Sequence, residues 1–143
     1  LVGRVSEGHV LYYKHTPHYN SLENFWRIMA TREAVSRMNT EVETQLNTIT
    51  ETIVETIPVE QIYLFGSYAH GEPNEDSDLD IFVVIPDDTG REIDITIDLR
   101  KAIRGKKSMP VDLLVSSLSR FRERITTPTL ERDIYEQGQL IYG

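Results

Sequence analysis

The sequence predicts a fold of mixed helices and strands, α/β or α+β in class, and three observations carry that expectation. Val42, Leu46, Ile49, Ile53 and Ile57 recur at helical spacing. Apolar runs of strand length follow at 62–65, 79–85 and 111–115, each bounded by Gly, Pro or Asn. A second amphipathic stretch, 91–104, separates the last two of these runs. At 143 residues the chain can bury one respectable core and carry an appendage.

Residues 1–37 differ in composition from the rest and read as an N-terminal extension, with a helix over 21–37 that places Leu22, Phe25, Trp26 and Met29 on one side. His15 and His18 form an H-x-x-H around a proline, which reads as surface histidines rather than metal ligands. The main body is 38–143. Asn39 or Thr40 caps its first helix and Pro58 closes it, although the segment is rich in threonine, a poor helix former. Ile62 to Phe65 reads as a strand ending at Gly66-Ser67, and a polar loop with Gly71, Pro73 and Asn74 leads to a second strand, Leu79 to Ile85, stopped by Pro86.

Segment 91–104 fits a strand through Ile93, Ile95, Ile97 and Leu99, and a helix through Ile95, Leu99, Ala102 and Ile103. Its length and its flanking Gly90 and Gly105 favour the helix. Val111 to Val115 is a third strand opened by Pro110, the stretch 117–137 reads as two short helices broken near Thr127-Pro128, and Leu140 to Tyr142 is a final strand after Gly138.

The chain has no cysteine, which excludes a disulfide framework, a thiolate nucleophile and a cysteine zinc site. No run approaches the roughly 18 apolar residues of a membrane span, and the N-terminus lacks a signal-peptide core. These features suit a cytoplasmic protein with no membrane contact. The formal charge is −8, and residues 38–143 carry ten basic and twenty acidic side chains, a net −10. Such a body, with no basic surface evident from the sequence, disfavours nucleic acid as a partner, but not a single nucleotide escorted by cations.

The candidate chemistry lies in LFGSYAHGEPNEDSDLDIFVV, residues 64–84, where Asp78 and Asp80 abut a strongly apolar run. Side chains two apart on a strand share a face, so both carboxylates project together while Leu79 turns into the core. Carboxylates that close raise one another's pKa unless a cation bridges them, and a hard divalent ion such as Mg2+ is the natural partner. Asp112, between Val111 and Leu113 on another strand, could complete a triad. A calcium loop over Asp76, Asp78, Asp80 and Asp87 fails because Ile81 stands where glycine is required. Glu72, Glu75 and Asp76 read as a solvated loop. Gly66 allows a tight turn whose N–H groups approach an anion, and Ser67 adds a hydroxyl. Neither a P-loop nor a dinucleotide-binding glycine motif is present in the sequence.

Gly66-Ser67, ten residues, then Asp78-x-Asp80 is a G-S-x10-D-x-D pattern, and on these residues the chain resembles the DNA polymerase β-like nucleotidyltransferase superfamily. The string GSYAHG, SDLD and an apolar strand is similar to the minimal nucleotidyltransferases (MNT), including the antitoxin halves of MNT–HEPN pairs. The resemblance implies a small mixed β-sheet flanked by helices over 38–143. It implies that Gly66 and Ser67 hold the phosphates of a nucleoside triphosphate, that Asp78 and Asp80 hold two Mg2+ ions, and that Asp112 shares a metal and assists deprotonation of the acceptor hydroxyl. It further implies AMP transfer from ATP to a HEPN-domain toxin. The alternatives are nucleotidylation of a small hydroxylated molecule, or a non-catalytic module that binds its partner. His70 departs from the family's usual arginine in G-S-x-A-R-G and cannot make a bidentate fork.

Overall fold

The computed structural model describes residues 5–6, 9–10 and 40–143; the expected helix over 21–37, the histidine pair and the domain boundary at 38 lie outside the described residues. Two short strands, β1 (Val5–Ser6) and β2 (His9–Val10), pair antiparallel. Residues 40–56 belong to helix α1, so Thr40 lies within it. Its threonines are accommodated by a ladder: the hydroxyls of Thr44, Thr48, Thr52 and Thr56 each donate to the carbonyl four residues back, at 2.6 to 3.0 Å. Satisfied in this way, the hydroxyls do not compete with the helix for its N–H groups.

Strand β3 (Gln61–Phe65) leads through Gly66 into one helical turn, α2 (Ser67–His70). The polar loop expected directly after Gly66-Ser67 therefore begins later, at Gly71, whose φ of 76° ends the turn. Buried Ala69 supplies the reason, since it packs into the core and draws the segment inward. Strand β4 (Leu79–Ile85) has the bounds the apolar run implies. Helix α3 (Glu92–Arg104) buries Ile95, Leu99 and Ile103 and leaves Ile93 and Ile97 exposed, so the helical reading of this ambiguous stretch is the observed one. Strand β5 (Val111–Ser117), helices α4 (Leu118–Arg124) and α5 (Leu130–Gln137), and strand β6 (Gln139–Tyr142) complete the chain. Thr129 caps α5 by accepting from Arg132 N–H at 3.2 Å.

The four longer strands form one mixed sheet in the order β5-β4-β3-β6. β3 is antiparallel to both neighbours, and β4 is parallel to β5, as the intervening helix α3 requires. Alternation sorts the side chains. Ile62, Leu64, Leu79, Ile81, Val83, Ile85 and Leu113 meet Leu46, Ile49 and Ile53 of α1 and the buried residues of α3. On the opposite face, Tyr63, Phe82, Val84 and Leu140 pack beneath Phe121 of α4 and Ile134 of α5. Phe121 is the hub of that layer, its ring 5.7 Å from Tyr63, 5.5 Å from Phe82 and 6.3 Å from Tyr135. Burial pushes the Tyr63 phenol well above its ordinary range, with Tyr135 adding to the effect.

Candidate active site

The candidate residues gather where β3 ends and where β4 and β5 begin. Antiparallel register sets Phe65 opposite Asp80, and parallel register sets Asp80 beside Asp112. Neighbouring strands are about 4.8 Å apart, so Asp80 and Asp112 stand side by side on the face shared with Phe82 and Leu114. Alternation along β4 explains why Asp80 can be there at all: its neighbours Leu79 and Ile81 are fully buried on the other face and fix the strand.

Gly66 holds the other side of Asp80. Its backbone, at φ 75° and ψ −157°, lies in a region that only glycine occupies without strain. A Cβ built there would lie 2.0 Å from Asp80 Oδ2. The carboxylate thus fills the space that a side chain at 66 would need, and the phosphate-binding turn expected from the sequence abuts the candidate metal ligand directly. The Gly66 carbonyl accepts from the N–H groups of Ala69 and His70 at 3.1 and 3.2 Å, which locks the turn.

Burial first, and then the charges of Asp112 and Asp78, push the Asp80 carboxyl above its ordinary pKa. Asp78 is exposed in the connection preceding β4, close enough for its charge to act on Asp80. Among the described residues, no arginine or lysine side chain forms an ion pair with any of the three aspartates. No three acidic or histidine side chains among them are already drawn together as a metal cage. The fold therefore assembles the pair Asp80 and Asp112, with Asp78 near but outside it. A pair of adjacent hard oxygen donors is chemically suited to a divalent cation.

Two nearby groups were not anticipated from the sequence. Tyr68, in α2, packs against the core, and its phenol is pushed up by burial, then by Glu41 of α1 and by Asp78. Glu41 and Asp78 thus both act on one tyrosine from distant parts of the chain. The influence of Glu41 on Tyr68 across 27 residues leaves no local signal in the sequence. Gln139 of β6 donates to the Ala69 carbonyl at 3.2 Å and braces α2 from the other side.

Residues 45–141 match the nucleotidyltransferase domain family. A candidate protein adenylyltransferase of Methanocaldococcus jannaschii is 33% identical over 84 residues, which is 59% of this chain and 79% of that protein. Among solved structures, a candidate nucleotidyltransferase from Sulfolobus solfataricus superposes with a TM-score of 0.47 at 24% identity, covering 70% of this chain and 84% of that one. A toxin–antitoxin structure with AMP-PNP gives a TM-score of 0.42 at 27% identity, covering 68% of this chain and 72% of that one. Among the described residues no helix is long and apolar enough to cross a membrane. The family match spans most of the described chain and includes every candidate site residue, so the chain belongs to the nucleotidyltransferase domain family.

Proposed function

We propose that this protein is a Mg2+-dependent nucleotidyltransferase that moves AMP from ATP to a hydroxyl of a protein acceptor, acting as the antitoxin to a HEPN-domain toxin. The observation that carries the catalytic part is the contact of Gly66 with Asp80, alongside Asp112 in register. It brings a glycine turn suited to phosphate against carboxylates suited to a cation, within a chain of the nucleotidyltransferase family. The protein acceptor is supported by the likeness to the Methanocaldococcus jannaschii protein, and the HEPN partner by the GSYAHG and SDLD motifs.

In this reading the N–H groups at the start of α2 and the Ser67 hydroxyl orient the β- and γ-phosphates. Asp80 and Asp112, with Asp78, would hold Mg2+, which when bound offsets triphosphate charge and stabilises departing pyrophosphate. The acceptor oxygen forms a bond to the α-phosphorus, and the bond from that phosphorus to the bridging oxygen breaks, releasing pyrophosphate. Asp112, exposed at the strand start, takes the acceptor's proton. Incubation with α-labelled ATP, Mg2+ and a purified HEPN-type protein tests the whole reading. Label on the partner is the expected result, and tight binding without transfer would instead make the chain a non-catalytic partner-binding module.

A further inference from the structure

Half of the ten basic side chains in 38–143 fall within eight positions: Arg100, Lys101, Arg104, Lys106 and Lys107. All five are exposed. Of the other five, Arg91, Arg120, Arg124 and Arg132 are ion-paired, whereas none of the clustered five forms an ion pair with a described residue. In a body of net −10, unpaired cations that could be neutralised locally and are not form a distinct surface.

The end of this cluster is fixed in place. Buried Gln45 of α1 donates through Nε2 to the Lys106 carbonyl at 3.3 Å and accepts from the Ser108 N–H and, at 3.2 Å, from the Ser108 hydroxyl. Two residues later the Pro110 carbonyl accepts from the N–H of Leu79, the residue between Asp78 and Asp80, at 3.0 Å. Three residues of chain span at most about 11 Å, so the Lys107 backbone lies within that distance of Pro110, the residue that leads into β5 and Asp112. The connection into β4 also carries exposed Glu72, Glu75 and Asp76.

Resting on the reading that the site modifies a macromolecule, we infer that Arg104, Lys106 and Lys107 form the docking rim for an acidic polypeptide segment of the acceptor, presenting its hydroxyl to the carboxylates. The net −10 of residues 38–143 disfavours a long phosphate backbone lying across the body, whereas a short acidic segment can engage the basic cluster alone.

The probe is a random copolymer of glutamate and tyrosine, compared by fluorescence anisotropy on the full chain with a lysine–tyrosine copolymer and a single-stranded RNA. The acidic copolymer should bind, the lysine copolymer should not, and about 0.5 M salt should abolish binding. Lys106→Glu combined with Lys107→Glu should weaken binding about tenfold, the scale of losing two rim pairs and creating two repulsions. AMP-PNP affinity should be unchanged in the same variant. Lack of binding, or binding that ignores the double reversal, overturns the inference. So does tighter, Lys106- and Lys107-dependent binding of the RNA, which would assign the rim to nucleic acid. Failure of AMP-PNP to bind the unaltered chain would instead strike the nucleotidyltransferase reading and leave the rim to be judged by the copolymers.

Discussion

Replacing Gly66 by alanine probes the closest contact in the site. Two penalties act together. The backbone at φ 75° and ψ −157° is in a region where a non-glycine residue costs on the order of 1–3 kcal/mol. The new methyl would sit 2.0 Å from Asp80 Oδ2 and 2.9 Å from its Cγ, so the carboxylate must swing away, at a further cost of about 1–2 kcal/mol for a strained rotamer and shifted neighbours. A loss of about 2–5 kcal/mol follows, and for a domain of this size each kcal/mol lowers the melting temperature by about 4–8 °C. The two penalties separate in a double-mutant cycle with Asp80→Ala. Without the carboxylate, alanine at 66 should cost only the backbone term, giving a coupling of about 1 kcal/mol or more between the two sites. Urea denaturation at neutral pH in a metal-free buffer measures all four proteins. If Gly66→Ala is within 0.5 kcal/mol of the unaltered protein, or the cycle shows no coupling, the packing of Gly66 on Asp80 is refuted.

Three further outcomes follow from the packing and the charges. Phe121→Ala removes the hub ring over Tyr63, Phe82 and Tyr135 and should cost about 3–5 kcal/mol by denaturant titration; a loss under 1 kcal/mol would contradict its place in the core. Burial pushes the Glu131 carboxyl up, but its ion pair with Arg124 at 2.5 Å and its backbone hydrogen bond outweigh that and leave it below the ordinary 4.5. A lowered carboxylate contributes stability above its unfolded value that is lost as pH falls through the folded one. Glu131→Gln should therefore cost about 1–2 kcal/mol at pH 7 and flatten the acid limb below about pH 4.5; an unchanged acid limb would dismiss the pair. His70→Arg restores a bidentate donor at the turn and should raise AMP transfer several-fold; equal rates would make position 70 indifferent.

The strands of this fold were legible where burial imposed a simple pattern. The stretch 79–85 is apolar because five consecutive residues after Asp80 are buried, and its bounds could be read directly. Segment 91–104 satisfied both periods because Ile93 and Ile97, which complete the alternating pattern, are exposed on the helix. Four-residue α2 is shorter than any periodicity can reveal, and Gly66 was readable as a turn but not as the wall against which Asp80 packs. Spacing predicted a shared face for Asp78 and Asp80, but β4 begins at Leu79 and leaves Asp78 in the connection before it. Which strand stands beside Asp80 did not follow from spacing, since Asp112 reaches Asp80 through a crossover whose register no local sequence encodes. Charge counting likewise concealed a structural fact: a net −10 averages away a basic cluster whose members lie within eight positions and remain unpaired with described residues.

The central claim is that the carboxylate pair beside Gly66 performs nucleotidyl transfer, and Asp80→Asn tests it most directly. The variant keeps the shape that packs on Gly66 while removing the charge, so folding can be verified by circular dichroism and melting temperature. With α-labelled ATP, Mg2+ and a HEPN-type acceptor, the unaltered protein should place label on the acceptor and Asp80→Asn should leave it unlabelled. Undiminished transfer by a folded Asp80→Asn protein would contradict the account.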